Sequence, residues 1–142
     1  MPATMIDSAI FGSLWSQHTI KALFDDVART RAWLEIVAVL AEVQAEFTLI
    51  PAPAAHAIAL RCRELAIDAA FLEEMRIGRE ASGHSMQGMI RAVQSRLTPA
   101  DAQWVYAGAT VQDVTDTWMM LVLRTARQQI ERDLERVDQA MA

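Results

Sequence analysis

Cysteine is almost missing from these 142 residues. Cys62 stands alone, which excludes an internal disulfide and a cysteine-based zinc site and suits a reducing compartment. Glycine and proline are also scarce, with five and four copies. Runs of alternating β-branched residues are absent as well, so helices have to carry the fold, and the chain reads as all-α. There is no stretch of about 18 uninterrupted apolar residues to span a bilayer. Met1–Asp7 lacks the basic and apolar regions of a secretion signal, so the expected address is cytoplasmic with no membrane partner. Positive charge is short too: 13 Lys and Arg stand against 18 Asp and Glu, for a net charge of −5. A pI near 5.1 speaks against a nucleic-acid partner, which would need a basic face to neutralise phosphates. Lys21 is the only lysine.

What the chain has in quantity is apolar residues, 53% of the total, too many for a disordered segment. A soluble fold of this length buries roughly 68–70% of its unfolded surface, so a core needs no staples. Phe11 to Phe24 predicts a short helix or a pair of helical turns, followed by Asp25-Asp26 as caps. Val27 to Phe47 predicts the first strong helix. Trp33, Leu34, Ile36, Val37, Val39, Leu40, Val43 and Phe47 cover nearly its whole circumference, as in a helix buried within a domain or between subunits. Leu49-Ile50-Pro51 ends it, and Ala54 to Leu65 restarts. Asp68 is the expected cap of a helix over Ala69 to Arg76. Gly78 to Gly83 reads as a loop, and a further helix is expected from Ser85 to Leu97, broken by Thr98-Pro99. Trp104 to Thr110 is a small-residue loop, capped by Thr110 or Asp113 into the last and longest helix. That helix carries Leu123, Ile130, Leu134, Val137 and Met141 at coiled-coil spacing, interrupted by Arg127, and no stop signal follows.

Four stretches in chain order, Ile10-Phe11-Gly12-Ser13-Leu14-Trp15 with Leu23-Phe24-Asp25-Asp26, Trp33 to Ile50 with Pro51, Ser82-Gly83-His84-Ser85, and Gly108 to Thr117, resemble the fumarase/aspartase superfamily of lyases. Within it they are most similar to the branch of adenylosuccinate lyase and 3-carboxy-cis,cis-muconate cycloisomerase. The fourth stretch, GATVQDVTDT, is the most specific, being similar to the family's G-A-T-S-Q-D-x-x-D-T segment. The resemblance implies a helical N-terminal domain over 1–110 and, over 111–142, the start of a long helix of a central bundle. It also implies homotetramers with three-subunit active sites, in chains roughly three times longer.

The chemistry so implied removes a proton β to a leaving group and beside a carboxylate of a di- or tricarboxylate substrate. In the cycloisomerase the substrate's own carboxylate closes a lactone. Negative charge grows on the substrate carboxylate and needs donors placed to meet it. By resemblance Thr110 and the backbone at Val111 hold that carboxylate, where small residues and a helix N-terminus favour an anion. His84 assists catalysis by hydrogen bonding, with Ser85 and Gln112 also at the substrate. Asp113, Asp116 and Thr117 are structural caps. No cofactor and no metal are implied, because His18, His56 and His84 are scattered.

Other readings stand beside these. An isolated Gly-His-Ser reads as a surface helix cap, and Gly108 to Thr117 as an ordinary N-cap. The methionines, Trp33, Trp104 and Trp118 read as packing. The chain departs from the family pattern at Val111, where Ser is usual, and at Val37, Thr48, Tyr106 and Trp118, where an acidic residue, Gly, His and a small residue are usual. A donor lost at Val111 would lower a rate by about 10²–10³ if it acts in the transition state. The family's second catalytic histidine region and its mobile serine loop have no counterpart in the 142 residues, so the chain alone is expected to be inactive. The alternative is a non-catalytic helical module for oligomerisation or partner binding with a degenerate lyase-like site.

Overall fold

The computed structural model describes residues 4–142. Met1–Ala3, part of the segment read for a secretion signal, lie outside the described residues. The chain is all-helical, without a strand among the described residues. After a 3₁₀ turn at Met5–Asp7 come α1 (Gly12–Trp15), α2 (His18–Ala22), α3 (Asp26–Glu46) and α4 (Ala52–Glu64). Then follow α5 (Ala69–Ser82), α6 (Gln87–Gln94), α7 (Pro99–Ala102) and α8 (Val111–Met141). Internal contacts gather Thr30–Trp118 into one compact unit, and residues up to Arg29 with Met119–Ala142 into another.

In the Thr30–Trp118 unit, α3 supplies Leu34, Val37, Ala38 and Ala41 to the core, and α4 supplies Ala54, Ala55, Ile58, Ala59 and Cys62. Met86, Met89 and Val93 of the α6 region, Phe71 of α5 and Val114 of α8 complete it. Burial pushes the Cys62 thiol up to about 12, with the charge of Glu35 adding to the rise, so this residue is inert packing. Arg31 closes the C-terminus of α4 by donating to the carbonyls of Cys62, Arg63 and Leu65 at 3.2, 3.2 and 2.6 Å. Those carbonyls are among the acceptors that every helix end leaves open, and a cation suits them. On the surface, Arg63 bridges Glu35 at 2.8 Å and Glu42 at 2.6 Å.

The caps match the sequence reading. Asp25 Oδ1 accepts from the Ala28 amide at 2.7 Å, and Asp68 Oδ1 from the Phe71 amide at 2.9 Å. The circumferential pattern of α3 divides: Trp33, Leu34 and Val37 are buried, whereas Val39, Val43 and Phe47 are exposed. The loop expected over Gly78 to Gly83 is not there, since α5 continues through Gly78 to Ser82 and ends at Gly83. Gly78 is not a breaker but a point of close approach. A Cβ built on it would lie 2.4 Å from the Gly88 Cα, and one on Gly88 would lie 2.6 Å from the Met75 Cα. Two helices cross here backbone to backbone, so glycine is required by space. The helix expected from Ser85 is also shorter, since α6 begins only at Gln87.

The end of α3 explains one departure from the family pattern. Leu49 N–H donates to the Gln44 carbonyl at 2.8 Å and Thr48 N–H to the Ala45 carbonyl at 3.0 Å. This pair of bonds is a Schellman cap, whose outer residue is left-handed and usually glycine. Thr48 fills that place at φ 56°.

In the other unit, the first short helices are tied down by polar contacts. Lys21 Nζ reaches Asp7 at 2.7 Å, and Gln17 Nε2 donates to Asp133 of α8 at 3.0 Å. The stripe of Leu123, Ile130, Leu134, Val137 and Met141 lies open, with 50–77% of each residue exposed.

Two glycine-related substitutions should move stability in opposite directions. Thr48→Gly removes a β-branched residue from the left-handed region and should stabilise by about 1 kcal/mol. Gly78→Ala forces the crossing apart and should destabilise by about 1–3 kcal/mol. Urea denaturation reads both, and an unchanged midpoint for Gly78→Ala would refute the close crossing.

Candidate functional site at the start of the long helix

The Trp104–Thr110 turn feeds α8 through two left-handed residues, Tyr106 at φ 63° and Gly108 at φ 70°. Glycine meets that demand at no steric cost. Thr110 stands as the N-cap. Its N–H donates to Asp113 Oδ2 at 2.8 Å, the back-reaching half of a capping box. The amides of Val111, Gln112 and Asp113 are therefore the open donors of this helix end. The Thr110 hydroxyl makes no hydrogen bond among the described residues. A 31-residue helix adds its dipole to those donors, so the turn is chemically suited to an anion.

The neighbouring side chains are engaged within the helix. Gln112 Nε2 donates to Asp116 Oδ1 at 2.6 Å, and the Thr117 hydroxyl donates to the Asp113 carbonyl at 2.6 Å. The Thr115 hydroxyl donates to the Val111 carbonyl at 3.0 Å.

His84 lies elsewhere in the same unit, in the short connection between α5 and α6. Its amide donates to Ser82 Oγ at 3.2 Å, and its Nδ1 accepts from the Met86 amide at 3.3 Å. An Nδ1 that accepts puts the proton of the neutral ring on Nε2, leaving Nε2–H as the donor. His84 therefore both ends a helix connection and keeps a donor to offer. Ser85 is exposed beside it. No hydrogen bond joins His84 or Ser85 to the Thr110 turn among the described residues.

Two residues of the site were not found from the sequence. Gln44 Nε2 donates to the Ala107 carbonyl at 2.7 Å and so anchors the turn to α3. Its only sequence signal is an amide placed among Leu40, Val43 and Phe47. With Ile36 and Leu40 it lines a half-open pocket of about 200 Å³ behind the turn, closed on the other side by Gly108, Ala109, Asp113, Val114 and Thr117. The second is Tyr106, whose hydroxyl is buried without a partner among the described residues. Burial first, and the charge of Asp113 second, raise its pKa above the ordinary phenol value. Among the described residues no group of three or more His, Cys, Asp or Glu is placed to hold a metal ion. No helix among them is long and apolar enough to cross a membrane.

These features define a helical domain whose longest helix starts at an anion-receptive turn. Comparison with known proteins gives that class a family. The chain is 32% identical over 138 residues to 3-carboxy-cis,cis-muconate cycloisomerase of Bradyrhizobium diazoefficiens, covering 95% of this chain and 30% of that protein. It is also 32% identical over 143 residues to N-acetyl-S-(2-succino)cysteine lyase of Enterococcus italicus, covering 100% and 30%. The crystal structure of 3-carboxy-cis,cis-muconate lactonizing enzyme from Pseudomonas putida superposes with a TM-score of 0.73 at 28% identity, over 89% of this chain and 29% of that one. No family model matches. The chain belongs to the fumarase/aspartase superfamily of lyases, resembling its N-terminal region in the branch of 3-carboxy-cis,cis-muconate cycloisomerase and adenylosuccinate lyase. It spans about 30% of the length of the curated relatives it matches.

Tyr106 is the only tyrosine, so alkaline titration reads it alone. Its raised pKa means that the folded chain favours the neutral phenol. That stability is full below the unfolded value of about 10 and is lost as pH rises through the folded pKa. The urea midpoint should therefore fall more steeply above pH 10 in the wild type than in Tyr106→Phe. Equal losses in the two chains would contradict the assignment.

Proposed function

We propose that these residues supply the carboxylate-holding part of a lyase or cycloisomerase site. Thr110 Oγ1 and the Val111 amide receive one carboxylate of a di- or tricarboxylate substrate, and His84 donates from Nε2. The observation that carries this reading is the Thr110 turn itself: open amides and an uncommitted hydroxyl head a long helix, in the segment similar to the family's G-A-T-S-Q-D-x-x-D-T. Both relatives' names fit it, since carboxymuconate and a succino group each present several carboxylates. As the β-proton leaves, charge accumulates on the held carboxylate, and donors fixed beforehand lower the barrier without reorganising. Closure of a lactone, as in the cycloisomerase, is the form of the reaction we favour. Val111 contributes only its amide where the family's serine would add a hydroxyl, and Ser85 and Gln112 border the substrate.

In the same reading 1–110 forms the N-terminal helical domain, and 111–142 begins a bundle helix. The open stripe from Leu123 to Met141 is then covered by other copies in a homotetramer. The stripe also suits a non-catalytic oligomerisation module, and kinetics separates the two. In the enzyme that carries this segment, Thr110→Ala should lower kcat/KM on 3-carboxy-cis,cis-muconate by about 10²–10³ with the helical circular dichroism unchanged. His84→Ala should lower it as well. Full activity in both variants would refute the catalytic reading. The 142 residues alone should give no turnover.

A further inference from the structure

The Thr110 turn is not packed into place from behind. A half-open cavity of about 200 Å³ lies against Gly108 and Ala109, and a Cβ built on Gly108 would meet nothing within 4 Å. Glycine does not itself choose the left-handed torsion, because it enters both signs of φ about equally. The turn's own backbone bonds are long, with Ala107 N–H reaching the Trp104 carbonyl at 3.2 Å and Ala109 N–H the Tyr106 carbonyl at 3.4 Å. Against these stands one short bond from α3, in which Gln44 Nε2 donates to the Ala107 carbonyl at 2.7 Å. Its support is firm, since α3 is fixed in the core through Val37, Ala38 and Ala41.

We propose that Gln44 is a positioning residue for the carboxylate site. Its amide holds the Ala107 carbonyl so that Gly108 keeps the conformation that gathers the Thr110 hydroxyl and the Val111 and Gln112 amides. This rests on the reading of that turn as a carboxylate site. Gln44 acts through the backbone and does not itself meet the carboxylate. Loss of its donor leaves the fold in place, because Ala107 is half-exposed and water takes over its carbonyl. It leaves the turn with several conformations, of which one gathers the donors. A hydrogen bond of this kind biases a local equilibrium by up to about tenfold, and an apparent Kd rises by the factor by which the competent population falls.

The test is a titration of the ¹⁵N-labelled 142-residue chain with propane-1,2,3-tricarboxylate at neutral pH and constant ionic strength. The Val111 and Gln112 amides report binding, and the heteronuclear NOE over 107–111 reports the order of the turn on the ps–ns timescale. Gln44→Met and Gln44→Leu both remove the donor and leave an apolar side chain at a pocket that Ile36 and Leu40 also line. In both variants we expect a Kd about tenfold weaker, an NOE lowered over 107–111 alone, and the wild-type urea midpoint. A wild-type Kd in the variants overturns the proposal and leaves the carboxylate site standing. A lower urea midpoint, with NOE lost along α3 as well, assigns Gln44 to the fold at large and also overturns it. If the wild-type amides do not respond, the carboxylate reading of the turn falls and the proposal falls with it.

Discussion

Trp118 stands edge-on to Trp33, with ring centroids 6.1 Å apart and planes at 87°, and this contact fixes the first two turns of α8 on α3. An edge-to-face pair has a preferred geometry and adds its own attraction to the area it buries. Val114, one turn earlier, is buried on the same face. The helix start is thus held by apolar contact one to two turns beyond it, and the Gln44 amide holds the Ala107 carbonyl before it. Between these two anchors lies the Thr110 turn. Its open amides point where the scaffold leaves them, which is the condition for donors to act without reorganising.

The helices were largely legible because their signals are local. Asp25, Asp68 and the Thr110 and Asp113 pair are capping chemistry within four residues of the bonds they make. Gly78 is a helix residue where the sequence suggests a loop, and the reason follows from the physics. A glycine can break a helix or admit a neighbouring backbone, and one sequence alone does not distinguish them. Only the partner Gly88, ten residues later and on another helix, gives the answer. The Thr110 turn was legible through its resemblance to a known segment. Gln44 was not, because its importance depends on a carbonyl 63 residues away. The position of Tyr106 was visible as a departure, but neither its left-handed backbone nor its unmet hydroxyl has a sequence signature.

If the Thr110 turn holds a carboxylate as proposed, its construction also bears on how it tolerates substitution. Backbone amides at a helix start are independent of the side chains that carry them, so Val111 retains one donor of the serine it replaces. What changes is the number of side-chain hydroxyls and where they come from. The relatives are named for different substrates.

The Gly78 to Gly88 crossing has a mechanical consequence for His84. The two helices are pinned where their backbones touch, and His84 stands at the apex of the hairpin within two helical turns of the pin on either side. A short lever allows little swing at its tip. The backbone that carries the imidazole is therefore held at a short distance from the pin, and variation in its reach is left to the Gly83–Met86 connection and to the side-chain torsions of His84.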